Sequence, residues 1–243
     1  MRLALMQPYF FPYIGYFQLI ANTDLWVVFD TAQFSLQSWM YRNRILHPSH
    51  GWQYISLDLN KASPNKCILE TELLDRKKSE EKLLGQLGHY RKRSPWFNKV
   101  KELVQESFAT TPDNSLSRLN VITLASVCAY LNIPFNYRFL SELALEIPPV
   151  AYPGQWPLEV STQLQAKCYI NAPGGKALFH PDDFAARNID LKFLPMPEFV
   201  YECHPYSYQP HLSILDVLMW NSPECIREYL LAPVALEEAP SPA

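Results

Sequence analysis

Glycine is scarce, with seven in 243 residues. That leaves little room for a glycine-rich phosphate loop, and no Walker A, G-x-G-x-x-G or G-x-S-x-G motif occurs. No run reaches the roughly 18 apolar residues of a membrane span, so no transmembrane helix is expected. The apolar start Met1–Met6 is broken by Gln7-Pro8, too early for a secretory signal, and no small-residue cleavage site follows. The five cysteines (Cys67, Cys128, Cys168, Cys203, Cys225) show no C-x-x-C spacing, and their odd count fits reduced thiols. Together these absences predict a cytoplasmic protein that meets its substrate on that side of the membrane. The net charge of −3 argues against bulk attraction to nucleic acid or an anionic membrane. His47 and His50 are three apart with no third ligand nearby, so no metal site is expected. The cofactor and the oligomeric state are left open.

What the chain does have is apolar and aromatic mass: 48% hydrophobic residues, 14% aromatic, and only 19% charged. This suits a sizeable core. The aromatics either fill that core or line a pocket. Leu3–Met6 predicts a short buried strand, stopped by Pro8. A stiff loop with two prolines follows, then a helix over about 13–21 and an apolar strand over 25–29. Such a strand–loop–helix–strand unit builds parallel sheets, whose ligand-bearing loops lie at the carboxyl ends of the strands. Gln7 and Asp30 both fall at such ends. Residues 53–59 read as a further strand and 61–66 as a loop. Three helices are expected across 79–131, broken at Ser94-Pro95 and at 110–114. Strands at 135–140, 168–171 and 190–194 alternate with helices at 159–166 and 181–188. A helical pair spans 212–231, with Ser222 as N-cap and Pro223 as first residue. The pattern gives an α/β fold: a mainly parallel sheet, a helical segment near 79–132 and C-terminal helices. It forms one domain over 1–233, and 234–243 is expected to be a disordered tail.

Several stretches carry a family resemblance. Met6-Gln7-Pro8-Tyr9-Phe10-Phe11-Pro12-Tyr13-Ile14-Gly15-Tyr16-Phe17 resembles the amino-terminal signature of WbqC-like proteins. The likeness continues through Asp30, Gln33-Phe34, Trp39 and Arg42-Asn43-Arg44-Ile45. It resumes at Tyr169-Ile170-Asn171 with Gly174-Gly175, and ends with Leu212–Leu218 and Asn221-Ser222. Such proteins are associated with O-antigen and related polysaccharide gene clusters. The resemblance therefore implies a pathway, surface-polysaccharide biosynthesis, without naming a reaction. The stretch Pro153-Gly154-Gln155-Trp156-Pro157, inside a proline-rich loop over 147–157, departs from the family pattern.

Five constellations are candidates for chemistry. Pro12-Tyr13-Ile14-Gly15-Tyr16 sits where nucleotidyltransferases of the HIGH-motif type carry theirs, with tyrosines at the histidine positions. Gly15 either lets a phosphate approach the backbone or packs under the sheet. Asp30 and Gln33, with Trp39 and Arg42-Asn43-Arg44 beyond them, offer a carboxylate and two planar cations suited to a diphosphate; the alternative is surface ion pairing. In an extended segment Arg42 and Arg44 face one side and Asn43 the other. Lys61–Lys66, with Lys66 at its end, is a phosphate loop or a solvated turn. In the stretch 203–209, Cys203 and His204 would face opposite ways on a strand, so Cys203 is not activated by its neighbour. That leaves His204 as an acid–base candidate and Gln209 as a polar contact. Ser213 and Asp216 share a helix face, close to Asn221. Asp216, among apolar neighbours, needs a buried partner, expected to be His204, Arg42 or Arg44.

The leading reading is a transferase acting on a nucleotide-linked or activated amino sugar. In it Asp30, Asp216 and His204 are catalytic, and Gln7, Tyr13, Gly15, Gln33, Trp39, Arg42, Asn43, Arg44, Lys66, Gln209, Ser213 and Asn221 bind substrate. One alternative is a non-catalytic scaffold of a glycan-assembly complex, marked by an exposed aromatic patch. Another is an RNA- or aminoacyl-tRNA-using transferase, suggested by nine Lys/Arg against three Asp/Glu over 75–101.

Overall fold

The computed structural model describes residues 1–239; positions 240–243 lie outside the described residues. The chain opens with β1 (Arg2–Met6), α1 (Ile14–Ala21) and β2 (Leu25–Val28). Two small antiparallel ladders follow, β3 (Arg42–Leu46) with β4 (Trp52–Ser56) and β5 (Leu59–Asn60) with β6 (Glu72–Leu73). The helical segment holds α2 (Arg76–Leu87), α3 (Phe97–Thr110) and α4 (Leu116–Tyr130). Then come β7 (Tyr137–Phe139), α5 (Gln155–Gln163), β8 (Cys168–Asn171), α6 (Pro181–Ala185) and β9 (Asp190–Phe193). The chain closes with α7 (Ile214–Trp220), α8 (Pro223–Leu231) and β10 (Glu237–Glu238).

The main sheet runs β10-β9-β8-β1-β2-β7, and all its pairs are parallel except β10 with β9. From β1 the chain steps outward through β2 to β7. It then crosses back to β8 on the other side of β1, and the order reverses there. Both sheet faces are covered, which is why β1 and β2 are apolar at successive positions rather than alternately. Ala4, Trp26 and Val28 face a core shared with α1, α3, α4 and α7. Leu3, Leu5 and Val27 face a second core with Leu158, Val160 and Phe184 of α5 and α6.

Helix starts follow local chemistry. Asp75 accepts from Lys78 N (3.0 Å), Ser115 from Arg118 N (3.3 Å) and Ser222 from Cys225 N (3.2 Å), each satisfying an otherwise orphaned amide. Residues 203–204 form no strand; the chain there is irregular, and Cys203 is buried beneath it. Burial, with the Asp216 charge behind it, pushes the Cys203 thiol up to about 11, so it is not a poised nucleophile. In the segment expected to be a disordered tail, Glu237 and Glu238 pair along β9 and contact Lys176 and Lys192.

The opening loop is pinned from three directions. Phe10 and Phe11 are buried, and Phe11 has φ 38°, a strained value for an aromatic residue. Asn43 Nδ2 donates to the carbonyls of Phe10 (3.1 Å) and Phe11 (2.8 Å), and Ser213 Oγ donates to Phe11 (2.7 Å). Asn120 Nδ2 donates to Pro8 (2.9 Å) and to Met40 (2.7 Å). Asn43→Ala removes two of these donors from a buried, strained turn. It is expected to lower unfolding stability by about 2–3 kcal/mol, read as a shift in the urea midpoint at constant m.

Candidate functional site

The hairpin β3–β4 carries the site's charge. Alternation along β3 buries Asn43 and turns Arg42 and Arg44 to the other face, as the extended reading requires. On that face the arginines meet aromatic rings. Arg44 lies over Trp39 (5.4 Å to the ring centroid) and Trp52 (5.0 Å), and Arg42 over Tyr54 (4.7 Å) and Tyr41 (6.0 Å). Trp52 and Tyr54 meet edge to face at 5.0 Å. Stacking fixes each guanidinium plane without consuming its charge. Among the described residues, neither arginine has a carboxylate within ion-pair distance. Among the described residues their side chains bond only to backbone carbonyls, Arg42 to Gln37 (2.7 Å) and Arg44 to His211 (3.3 Å), and both Nε atoms are buried without a partner.

Arg44 borders a cavity of about 310 Å³ walled by Tyr9, Pro12, Tyr13, Trp39, Asn43, Met196 and His211. This is the size and apolar character of a small-molecule site with a single cationic anchor. Tyr13 donates its hydroxyl toward Met196 Sδ (3.1 Å) and meets His211 edge to face. His211 itself adopts φ 55°, which aims its carbonyl at Arg44. Gly15 lies behind this wall. A Cβ there would stand 2.5 Å from the Tyr13 ring and 2.7 Å from Met196 Sδ, so either side chain would have to shift. Gly15→Ala is expected to push Tyr13 and Met196 into the cavity. Its signature is a changed Tyr13 and Met196 environment by NMR, with a stability loss of about 1–3 kcal/mol from overpacking.

The remaining sequence candidates separate clearly. Gln209 joins Tyr13 and Gly15 in a narrow 30 Å³ cleft. Gln7 and Gln33 line a third cavity at the sheet edge. Asp30 is fully buried, and both of its oxygens are taken by Ser141, from N (3.1 Å) and Oγ (2.5 Å), which ties the end of β2 to the end of β7. Ser213 caps α7 through Leu215 N (3.2 Å), and Asn221 closes it by donating to Val217 O (2.8 Å). His204 is exposed, Lys66 lies on the 61–66 turn, and neither lines any of the three cavities.

Asp216 is fully buried, but the expected pair with Arg42, Arg44 or His204 does not form. Its carboxylate accepts from Leu46 N (2.9 Å), the Tyr201 hydroxyl (2.8 Å) and the Tyr90 hydroxyl. Two neutral tyrosines reach it from inside the core, whereas the arginines lie on the hairpin's outer face. Burial pushes the Asp216 carboxyl above its ordinary value despite these donors, and holds the Tyr90 and Tyr201 hydroxyls protonated.

Sequence reasoning missed Tyr9, Met196 and His211 in the cavity wall, and Trp52 and Tyr54 against the arginines. Trp52 and Tyr54 had a signal: two residues apart on a strand, they share one face. Met196 and His211 had none, since irregular chain brings them in.

No solved structure matches this chain. A mycobacterial protein, the uncharacterized protein Rv1507c of Mycobacterium tuberculosis (strain ATCC 25618 / H37Rv), is 29% identical over 219 residues, covering 89% of this chain and 92% of that one. The profile of the WbqC-like protein family matches residues 7–228, which include the opening loop, the Arg42-Asn43-Arg44 strand and the Ser213–Asp216 helix start. The chain belongs to the WbqC-like protein family.

Proposed function

We propose that this protein is a group-transfer enzyme of surface-polysaccharide biosynthesis that binds a nucleotide-linked amino sugar, with Arg44, assisted by Arg42, as the phosphate anchor. One observation carries the reading. Two stacked guanidinium groups have no acidic partner among the described residues, and one of them borders an aromatic cavity. A planar fork held flat by rings is suited to a diphosphate, and the Tyr9, Tyr13 and Trp39 rings suit a base or sugar face. Asp216, which accepts from Leu46 N at the end of β3, supports the hairpin from within, whereas Asp30 is tied to Ser141 away from this site. The test is a thermal-shift panel of nucleoside diphosphates, nucleotide sugars and acyl donors. A stabilising hit raises the melting temperature by mass action and identifies the ligand class.

A second reading, a scaffold for a glycan-assembly complex, draws on the same hairpin. Trp39, Trp52 and Tyr54 are 37%, 40% and 40% exposed, an aromatic patch of the kind partners cover. Co-purification with a glycosyltransferase and a flat ligand panel would favour it. Among the described residues no helix is long and apolar enough to cross a membrane.

A further inference from the structure

The third cavity, about 500 Å³, lies at the carboxyl edge of the main sheet. Gln7 follows β1 there, and Phe29 and Thr31 follow β2, while Val150–Pro153 come from the crossover that leads to α5 and Trp156 from the first turn of α5. This edge of a doubly wound sheet, beside the strand where the order reverses, is where such folds take ligands. The volume falls within the roughly 300–1,000 Å³ of small-molecule sites.

The lining chemistry is specific. No lining residue carries a charge. Phe29 and Trp156 form an aromatic wall, with ring centroids 5.2 Å apart. The Gln7 side chain makes no hydrogen bond among the described residues. Thr31 lines the cavity with its other atoms, while its hydroxyl oxygen is buried beneath the surface with no partner among them. The crossover is also held in place. The Tyr152 hydroxyl donates to Asp183, its ring stacks on His180 at 4.0 Å, and a Cβ on Gly154 would run into the Leu178 carbonyl. The cavity is therefore built rather than incidental.

We infer that this cavity is a second ligand site that takes an uncharged sugar ring. Its apolar face lies on Trp156 and Phe29, and its hydroxyls meet the Gln7 amide. A phosphate or carboxylate ligand finds no countercharge here. An uncharged ring with hydroxyls on its rim uses both the aromatic wall and the free amide. The site shares only the opening loop with the Arg44 cavity, Gln7 on one side and Tyr9 to Tyr13 on the other. It stands whether or not Arg44 binds phosphate.

Saturation-transfer NMR on the full chain tests this, with glucose, galactose, mannose and N-acetylglucosamine as one arm and uridine and adenosine as the other. At least one sugar is expected to receive saturation on its ring protons and to compete with itself. Trp156→Ala is expected to abolish the signal, while Arg44→Ala leaves it intact. Gln7→Ala removes a side chain that bonds nothing among the described residues, so it keeps the melting temperature near that of the wild type. It is expected to weaken sugar binding by about 2- to 10-fold. A panel in which no sugar binds, binding untouched by Gln7→Ala, or nucleosides binding in place of sugars would overturn the inference.

Discussion

Asp216→Ala is expected to cost most of the stability of the fold, with no contact to ligand involved. The substitution leaves the hydroxyls of Tyr90 and Tyr201 without their acceptor inside the core, and leaves the Leu46 amide with only the Tyr90 oxygen at 3.0 Å. Each buried donor left without an acceptor costs about 1–3 kcal/mol, and a typical domain has only about 5–15 kcal/mol in total. The loss is expected to be about 3–6 kcal/mol, read from urea unfolding. The three donors come from β3, the turn after α2 and the segment before α7, so the same carboxylate joins all three parts. Asp216→Asn separates charge from shape. Burial raises the folded-state carboxyl above its ordinary value of 3.8. Its contribution to stability is then full below that value and is lost as pH rises through the folded one. The wild type should therefore lose ground to Asp216→Asn as pH climbs from about 4 toward neutrality. A difference independent of pH would mean that the carboxyl is not perturbed.

The second large effect is on binding. Arg44→Ala is expected to weaken a diphosphate-bearing ligand by about 10- to 150-fold, the range of a lost charge-assisted hydrogen bond. Arg44→Lys should recover little of it. A lysine keeps the charge but lacks the planar fork and the stacking between Trp39 and Trp52. Arg44 bonds only the His211 carbonyl, so the melting temperature should stay near that of the wild type. Recovery in Arg44→Lys would mean that charge alone matters and that the stacked geometry is incidental.

Much of the fold was legible in the sequence because periodicity reports burial. The apolar run of β2 marked a strand covered on both faces, and Ser222-Pro223 marked a helix start. The strand expected at 168–171 coincides with β8. The irregular segment at 195–213 was opaque: its residues pack by shape, and no period encodes that. Met196 and His211 entered the cavity unseen for this reason. The same limit governs the roles of Asp30 and Asp216. A carboxylate at a strand end or on an apolar helix announces that it has a partner, but not whether the partner is a ligand, a serine or a pair of tyrosines. Asn43 shows the converse. Its place between two arginines suggested ligand contact, and it does border the Arg44 cavity, but strand alternation also turns it inward, where its amide holds the Phe10-Phe11 turn.

The most direct test of phosphate anchoring at Arg44 is titration calorimetry of the full chain with uridine diphosphate N-acetylglucosamine, uridine diphosphate and pyrophosphate, on wild type and Arg44→Ala in parallel. Saturable heat with a diphosphate ligand, lost in Arg44→Ala while both proteins melt at similar temperatures, is the expected result. Equal binding by the two proteins, or no saturable heat from any of the three ligands, would contradict a phosphate anchor at Arg44.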